Sequence, residues 1–172
     1  MTTPNLITKG EGLIGKLITN NGIVFNDATT LNTGLVESPF TVDGGTKGTA
    51  PTFNGAPLFT GSYIKIGNLV HFEIQVDMDN ITSFGTGQYF VSLPFPAKYP
   101  YKFREGCLHD ISASRDYEIG GHVLANSTEL LLSSVDSQGN TTFDVAFTST
   151  SPITLAVADN FHVSGTYIAS DD

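Results

Sequence analysis

The chain of 172 residues is 40% hydrophobic and only 15% charged, and it contains eighteen glycines and eight prolines. The apolar content excludes a mostly disordered chain, and the high glycine and proline content is typical of a turn-rich β protein rather than a helical bundle. Seventeen acidic and eight basic side chains give a net charge of −9, which disfavours nucleic acid and membrane partners.

The first 60 residues are rich in glycine, threonine and asparagine, and their apolar residues occur in short islands. Turn-forming stretches separate these islands, which are too short to close a core of their own. The sequence predicts that residues 1–58 form an extended N-terminal anchoring arm with short strands that packs on a partner. The side chains expected to bind that partner are Leu13, Ile14, Ile23, Val24, Phe25, Leu35, Val36 and Phe40.

Clear strand patterns begin beyond residue 58. In residues 69–78, five apolar side chains alternate with four polar ones, as expected for an antiparallel strand with one buried face. Gly67 and Asn68 are expected to form a two-residue hairpin turn before this strand. The predicted strands span residues 62–66, 69–78, 88–93, 106–113, 117–124, 129–135, 142–147 and 160–169.

Strands of this number and spacing predict an all-β domain. The expected fold is an eight-stranded antiparallel jelly-roll-like β-sandwich over residues 59–172, preceded by the arm. The pair Gly120-Gly121 indicates a bulge within one strand. Because the arm is expected to pack on a partner, a chain that begins near Leu58 is expected to fold without it.

No residue pattern predicts catalysis or a bound cofactor. Residues 10–15 match the dinucleotide-binding glycine motif, but no central strand precedes them and a turn signal soon follows. Asp77 and Asp79 begin like a calcium loop, but Ile81 and Thr82 do not continue it. The single cysteine, Cys107, is expected to be a small buried side chain. We expect no enzyme activity, no cofactor and no metal.

A proline-rich stretch over residues 94–104 alternates basic with aromatic side chains. Acidic side chains nearby neutralise the basic ones, which argues against a site for single-stranded nucleic acid. Aromatic residues are enriched at contacts between subunits, so these are expected to anchor one, with a glycan platform as the alternative. The expected interface residues are Tyr99, Tyr101 and Phe103.

Two stretches resemble a known group of proteins. Residues 61–72 read GSYIKIGNLVHF, and residues 85–96 read GTGQYFVSLPFP. They resemble the β-sandwich domains of tailed-phage structural proteins, which occur in tail fibres, appendages and capsid decoration proteins. Beyond residue 100 the resemblance lies only in the strand rhythm. It implies a jelly-roll-like module that assembles as a homotrimer and has no catalytic residues to transfer.

The arm and the module together favour a bacteriophage capsid decoration (cement) protein. A fibre needs a shaft such as a coiled coil or a long repeat, and the sequence predicts neither. An extended arm can add strands to the edges of a partner, here the major capsid protein or another virion protein. The alternative is a short fibre or receptor-binding appendage that recognises host-surface glycans. The sequence start lacks a secretory pattern, so we expect assembly in the host cytoplasm and localisation in the virion.

Overall fold

The computed structural model describes residues 36–134 and 145–170, together with two short strands before them. The chain separates into two units, Met1–Gly34 and Leu35–Asp172. In the first unit, β1 (Ile23–Val24) pairs antiparallel with β2 (Thr30–Leu31). The strands of the second unit are β3 (Ser38–Phe40), β4 (Gly44–Thr46), β5 (Thr52–Phe53), β6 (Leu58–Ile66), β7 (Leu69–Asp77), β8 (Ile81–Ser83), β9 (Tyr89–Ser92), β10 (Tyr101–Phe103), β11 (Glu105–Asp110), β12 (Arg115–Val123), β13 (Glu129–Ser134), β14 (Val145–Ala146) and β15 (Asn160–Ile168).

The second unit is built on a curled antiparallel sheet of eleven strands that forms a half-barrel. The strand order is β3-β6-β7-β15-β11-β12-β13-β9-β4, with β10 beside β12 and β14 beside β13. Strands β5 and β8 form a separate antiparallel pair. The described part of the chain contains no helix, so the prediction of an all-β fold is confirmed.

The long strand β12 passes from one half of the sheet to the other. Residues 115–118 pair with β11, and the rest of the strand pairs with β13 and β10. Just after this change of partner, a Cβ at Gly120 or Gly121 would meet the backbone oxygens of Phe103 and Leu131 at 2.3 and 2.5 Å, respectively. The two neighbouring strands therefore require glycine there. The register with β13 continues through both glycines, so the predicted bulge is absent from this strand.

Alternating side chains of β7 and β15 fill a core between the two halves of the sheet, as the alternation in residues 69–78 predicts. The ring of Phe72 meets those of Phe103 and Tyr167 edge-on, with centroids 5.2 and 6.0 Å apart. On the other side of the core, the ring of Phe147 lies 5.5 Å from Tyr89 and 5.4 Å from Phe161. These aromatic contacts tie β7 and β15 to β9 and β10.

Each of the eight predicted strands overlaps an observed strand, and the hairpin turn at Gly67-Asn68 is confirmed by the pairing of Ile66 with Leu69. The number of strands exceeds eight because β8 and β10 were not predicted, and because β3, β4 and β5, which fall in the predicted arm with short strands, belong to the second unit. Each of these is two or three residues long, which is too short for an alternating pattern. Residues 142–144, predicted to begin a strand, lie outside the described residues.

One continuous segment, residues 38–46, supplies both end strands of the curled sheet. Strand β3 pairs with β6 at one end and β4 pairs with β9 at the other, and three residues link them. In this link Val42 is 8% exposed and lies against Gly61 of β6. The backbone N–H of its neighbour Asp43 donates to the hydroxyl of Ser92 in β9 at 2.8 Å. The backbone carbonyl of Asp43 accepts the N–H of Ser92 at 2.7 Å. We call residues 38–46 the seam segment.

The compact second unit therefore begins at Leu35, earlier in the chain than the boundary expected near residue 58. Phe40, expected to bind a partner, instead packs within this unit, with its ring edge-on to that of Tyr63 at a centroid distance of 6.2 Å. The difference arises because the strands that pair with the seam segment are distant in sequence, so that its own short apolar islands do not reveal them.

The first prediction concerns the boundary. A chain that begins at Leu35 is expected to fold, and a chain that begins near Leu58 is expected to lose its cooperative thermal unfolding, because it lacks both end strands and Val42. Circular dichroism melting of the two truncated chains and the full chain tests this. Unfolding of the chain beginning near Leu58 at the melting temperature of the full chain would show that the seam segment is dispensable.

The second prediction concerns Gly61. An added Cβ there would lie 2.5 Å from Cγ2 of Val42 and 2.6 Å from Cε1 of Phe40. Gly61→Ala is therefore expected to lower the free energy of unfolding by about 1–3 kcal/mol through overpacking. In a chain that already carries Val42→Ala the same change should cost less, which a double-mutant cycle in urea measures. Ser62→Ala is the neighbouring control, and additive effects of the two core changes would contradict the contact.

Candidate functional site: the outer surfaces of the half-barrel

The structure describes only part of the predicted anchoring arm. Leu13, Ile14, Phe25 and Leu35 lie outside the described residues, and Ile23 and Val24 are described only through the pairing of β1 with β2. Val36, the first described side chain of the second unit, is 58% exposed and so is available to a partner. Binding of a partner by the arm stays a prediction.

The three aromatic residues predicted to form a subunit interface occupy different environments. Tyr99 is 54% exposed. Tyr101 is half-buried, and its hydroxyl accepts the backbone N–H of Ile168 at 3.1 Å. Phe103 is 6% exposed and belongs to the core of its own chain, so this ring is not available as a surface anchor. The core role of Phe103 was missed because its strand is only three residues long.

The proline-rich loop before Tyr99 is fastened to β15 by one side chain. The hydroxyl of Tyr167 donates to the carbonyl oxygen of Phe95 at 2.8 Å and accepts the N–H of the same residue at 3.1 Å. Further along, Ala97 is fully buried and exchanges backbone hydrogen bonds with residues 126 and 127. Burial raises the pKa of Tyr167 to about 12. The loop is therefore held in one position, and Tyr99 stands at its exposed end.

An apolar surface lies at the end of the second unit where β6 turns into β7. Ile66, Leu69 and Ile168 are directly paired across three strands and point away from the core. Ile66 is 43% exposed and Leu69 is 44% exposed. Tyr99 is 54% exposed and Leu124 is 62% exposed. The loops that contain them are hydrogen bonded to each other, and the loop of Tyr99 is also hydrogen bonded to the end of β15. We call these five residues the hairpin-end surface.

The charge around the hairpin-end surface differs from that of the whole chain. The segments that build this end, residues 63–71, 94–104 and 123–128, contain three lysines and one arginine and no acidic residue, whereas the chain has a net charge of −9. One of the lysines, Lys65, places its ammonium group 4.1 Å from the centroid of the Phe95 ring. This end can therefore approach another protein without the acidic repulsion that the rest of the surface carries.

A groove lies on the outer face of β6, β7 and β15. Two rows of directly paired side chains cross these strands, Ser62-Glu73-Ser164 and Thr60-Gln75-His162. With Glu37 and Asn160 they line a space of about 680 Å³. A smaller space of about 190 Å³ shares Glu37, Ser62 and Glu73 with it and extends toward Ile64 and His71. The sequence showed the polar half of the β7 alternation, but it gave no sign that these side chains enclose a groove.

The groove is acidic and hydrogen-bonding in character. Its lining contains Glu37 and Glu73 and no lysine or arginine. At its smaller extension, Nδ1 of His71 lies 3.0 Å from the hydroxyl of Thr166, and Nε2 lies 3.8 Å from a carboxylate oxygen of Glu73. An arrangement of carboxylates, hydroxyls, amides and imidazoles without a cation can bind a neutral polar ligand or a cationic one.

Cys107 lies on the same outer face, opposite His162 in the register of β11 and β15. It is half-buried rather than fully buried as expected from the sequence. Burial and then the nearby carboxylate of Asp116 raise the pKa of its thiol, which keeps the thiol protonated at neutral pH.

The stretch that begins like a calcium loop contains Asp77 and Asp79. The carboxylate of Asp77 accepts the backbone N–H of Asp79 at 2.8 Å.

The third prediction uses two buried tyrosines. Burial raises the pKa of Tyr89 and of Tyr167 from 10.0 to about 12. Stability is therefore expected to hold up to pH 10 and to fall between pH 10 and 12, because only the unfolded chain ionises these phenols there. Urea unfolding of Tyr167→Phe should show a smaller alkaline loss. Tyr99→Phe, at an exposed site, should show the full loss, and equal slopes in the two variants would contradict the assignment.

Among the described residues, no three or more side chains of histidine, cysteine, aspartate or glutamate are grouped so that they could hold a metal ion. The same residues include no helix that could span a membrane. No protein family, curated protein or solved structure matches the chain.

Proposed function

We propose that the chain is a structural protein of a bacteriophage virion and that it decorates the capsid as a homotrimer. In this proposal the half-barrel is a jelly-roll-like module. The two stretches that resemble tailed-phage structural proteins form the hairpin of β6 and β7 and the strand β9 with the loop after it. These elements build the core and the hairpin end, so the resemblance falls on the parts that define the module.

The observation that carries the proposal is the hairpin-end surface. Ile66, Leu69, Tyr99 and Leu124 are each more than 40% exposed, and they gather at one end of the unit. Exposed apolar groups collected in one place are typical of a surface that another protein covers. Three copies that meet through this end would bury these groups.

The division of the chain supports an anchoring role for its N-terminal part. The unit Met1–Gly34 contains two basic and two acidic residues and is neutral, so residues 35–172 carry the whole net charge of −9. A neutral segment with apolar islands can add to a partner's sheet edges more readily than an acidic one. Three such segments on one trimer would bind a shell with avidity and tie neighbouring capsid subunits together.

The groove favours the second candidate function, a receptor-binding appendage of the tail or head. Its polar lining is suited to a glycan, and a protein that only decorates the capsid does not need a glycan-binding site. The copy number and location of the chain in its native particle separate the two functions. Hundreds of copies on the head, with fragile heads after loss of the gene, support decoration. A few tens of copies or fewer, with intact heads and lost adsorption, would overturn it in favour of the appendage.

The fourth prediction concerns assembly. The full chain is expected to sediment as a trimer, and Leu69→Glu is expected to sediment as a monomer, because it places a charge in the middle of the hairpin-end surface. Val157→Glu is the matched control, since Val157 is 56% exposed and lies on a loop outside that surface. Analytical ultracentrifugation measures all three. A monomeric full chain, or a trimer that survives Leu69→Glu, would contradict the proposed interface.

A further inference from the structure

We propose that the groove on the outer face of β6, β7 and β15 is a binding site for an oligosaccharide without acidic groups. The site does not include any residue of the hairpin-end surface. The inference rests on the second candidate function, the receptor-binding appendage, and names the class of glycan that its groove would bind; it does not depend on decoration of the capsid.

The size of the groove suits more than one sugar ring. Small-molecule sites in proteins have volumes of about 300–1,000 Å³, and the main part of the groove measures about 680 Å³. The smaller space of about 190 Å³ continues from it, since both spaces are lined by Glu37, Ser62 and Glu73. A chain of sugars can thus run from the side of Asn160 toward the side of Ile64.

The outward-facing side chains that line the groove differ in length. In the row Ser62-Glu73-Ser164 a long side chain stands between two short ones, and in the next row Thr60 is the short side chain beside Gln75 and His162. Adjacent strands lie about 4.8 Å apart, so the polar groups of a row repeat at that spacing. Glu37, which precedes β3, adds a wall that is separate from these rows.

The chemistry of the lining is that of a polyol site. The hydroxyls of Thr60, Ser62 and Ser164 both donate and accept hydrogen bonds, the amides of Gln75 and Asn160 do the same, and the carboxylates of Glu37 and Glu73 accept two or more each. Sugar hydroxyls also donate and accept, so each lining group can find a partner on the ligand. Hydrogen bonds to ionised carboxylates are the stronger ones in this set, and we expect Glu73 to dominate.

Charge excludes acidic glycans from this site. No lysine or arginine lines either space, and two carboxylates face the ligand. A sialylated, sulfated or uronic acid chain would bring like charges together without a compensating cation. In the smaller extension, the side chain of Ile64 can pack against the carbon face of one ring. Recognition is therefore mainly by hydrogen bonds, which gives weak binding per site that a trimer strengthens through avidity.

The test is saturation-transfer NMR on the full chain with a panel of tetrasaccharides. The neutral probes are those of glucose in α and β linkage, mannose and N-acetylglucosamine, and the acidic probe is tetragalacturonate. Binding is expected for at least one neutral probe and not for the acidic one. Glu73→Ala and Ser164→Trp, which remove the main acceptor and fill the groove, are each expected to weaken that binding at least tenfold, as measured by titration.

The matched control is Glu118→Gln, which removes a carboxylate from the outer side of β12 without touching the groove. It should bind as the unchanged chain does, and thermal melting checks that all variants are folded. The proposal is overturned if no neutral probe binds at 10 mM, if the acidic probe binds best, if binding survives both groove variants, or if tetralysine binds the groove in place of the sugars. None of these outcomes bears on the copy number of the chain in its particle, so the two proposals fail separately.

Discussion

The pairing of the seam segment with both ends of the curled sheet is the constraint on which the rest of the structure depends. An open sheet leaves a row of unpaired backbone groups at each edge, and here β3 pairs with β6 and β4 pairs with β9. The sheet has to curl for one short segment to reach both edges. The seam segment and β6 are packed closely where they meet, since a Cβ at Gly44 would lie 3.0 Å from the ring of Phe59 on β6.

Curling has opposite consequences for the two faces of β7 and β15. On the inner face it brings Phe72 against Phe103 and Phe161 against Phe147, which encloses the core. On the outer face it leaves the polar side chains of the same strands lining the groove, with Glu73 among them. At the hairpin end, Ile66, Leu69, Tyr99 and Leu124 are buried by neither face. The interior, the groove and the hairpin-end surface are thus products of one bent sheet.

The sequence predicted the parts of this fold that repeat locally. The alternation around Phe72, the turn at Gly67-Asn68 and the strand rhythm up to residue 169 all appear in the structure. It did not predict that residues 38–46 join the sheet. Their partner strands lie between about 20 and 50 positions away in the chain, and a strand of three residues is too short to show an alternation of apolar and polar side chains. For the same reason Phe103 was assigned to a surface. The groove was missed because exposed polar side chains on a strand look alike whether the face is flat or concave.

Hydrogen–deuterium exchange of the full chain, read by mass spectrometry at peptide resolution, tests the central claim most directly. If the seam segment, residues 38–46, closes the half-barrel, those of its backbone amides that hydrogen bond to β6 and β9 exchange as slowly as those of β7 and become exposed in the same unfolding event. Complete exchange of this segment within seconds, while β7 stays protected, would contradict the account and would return the segment to the arm.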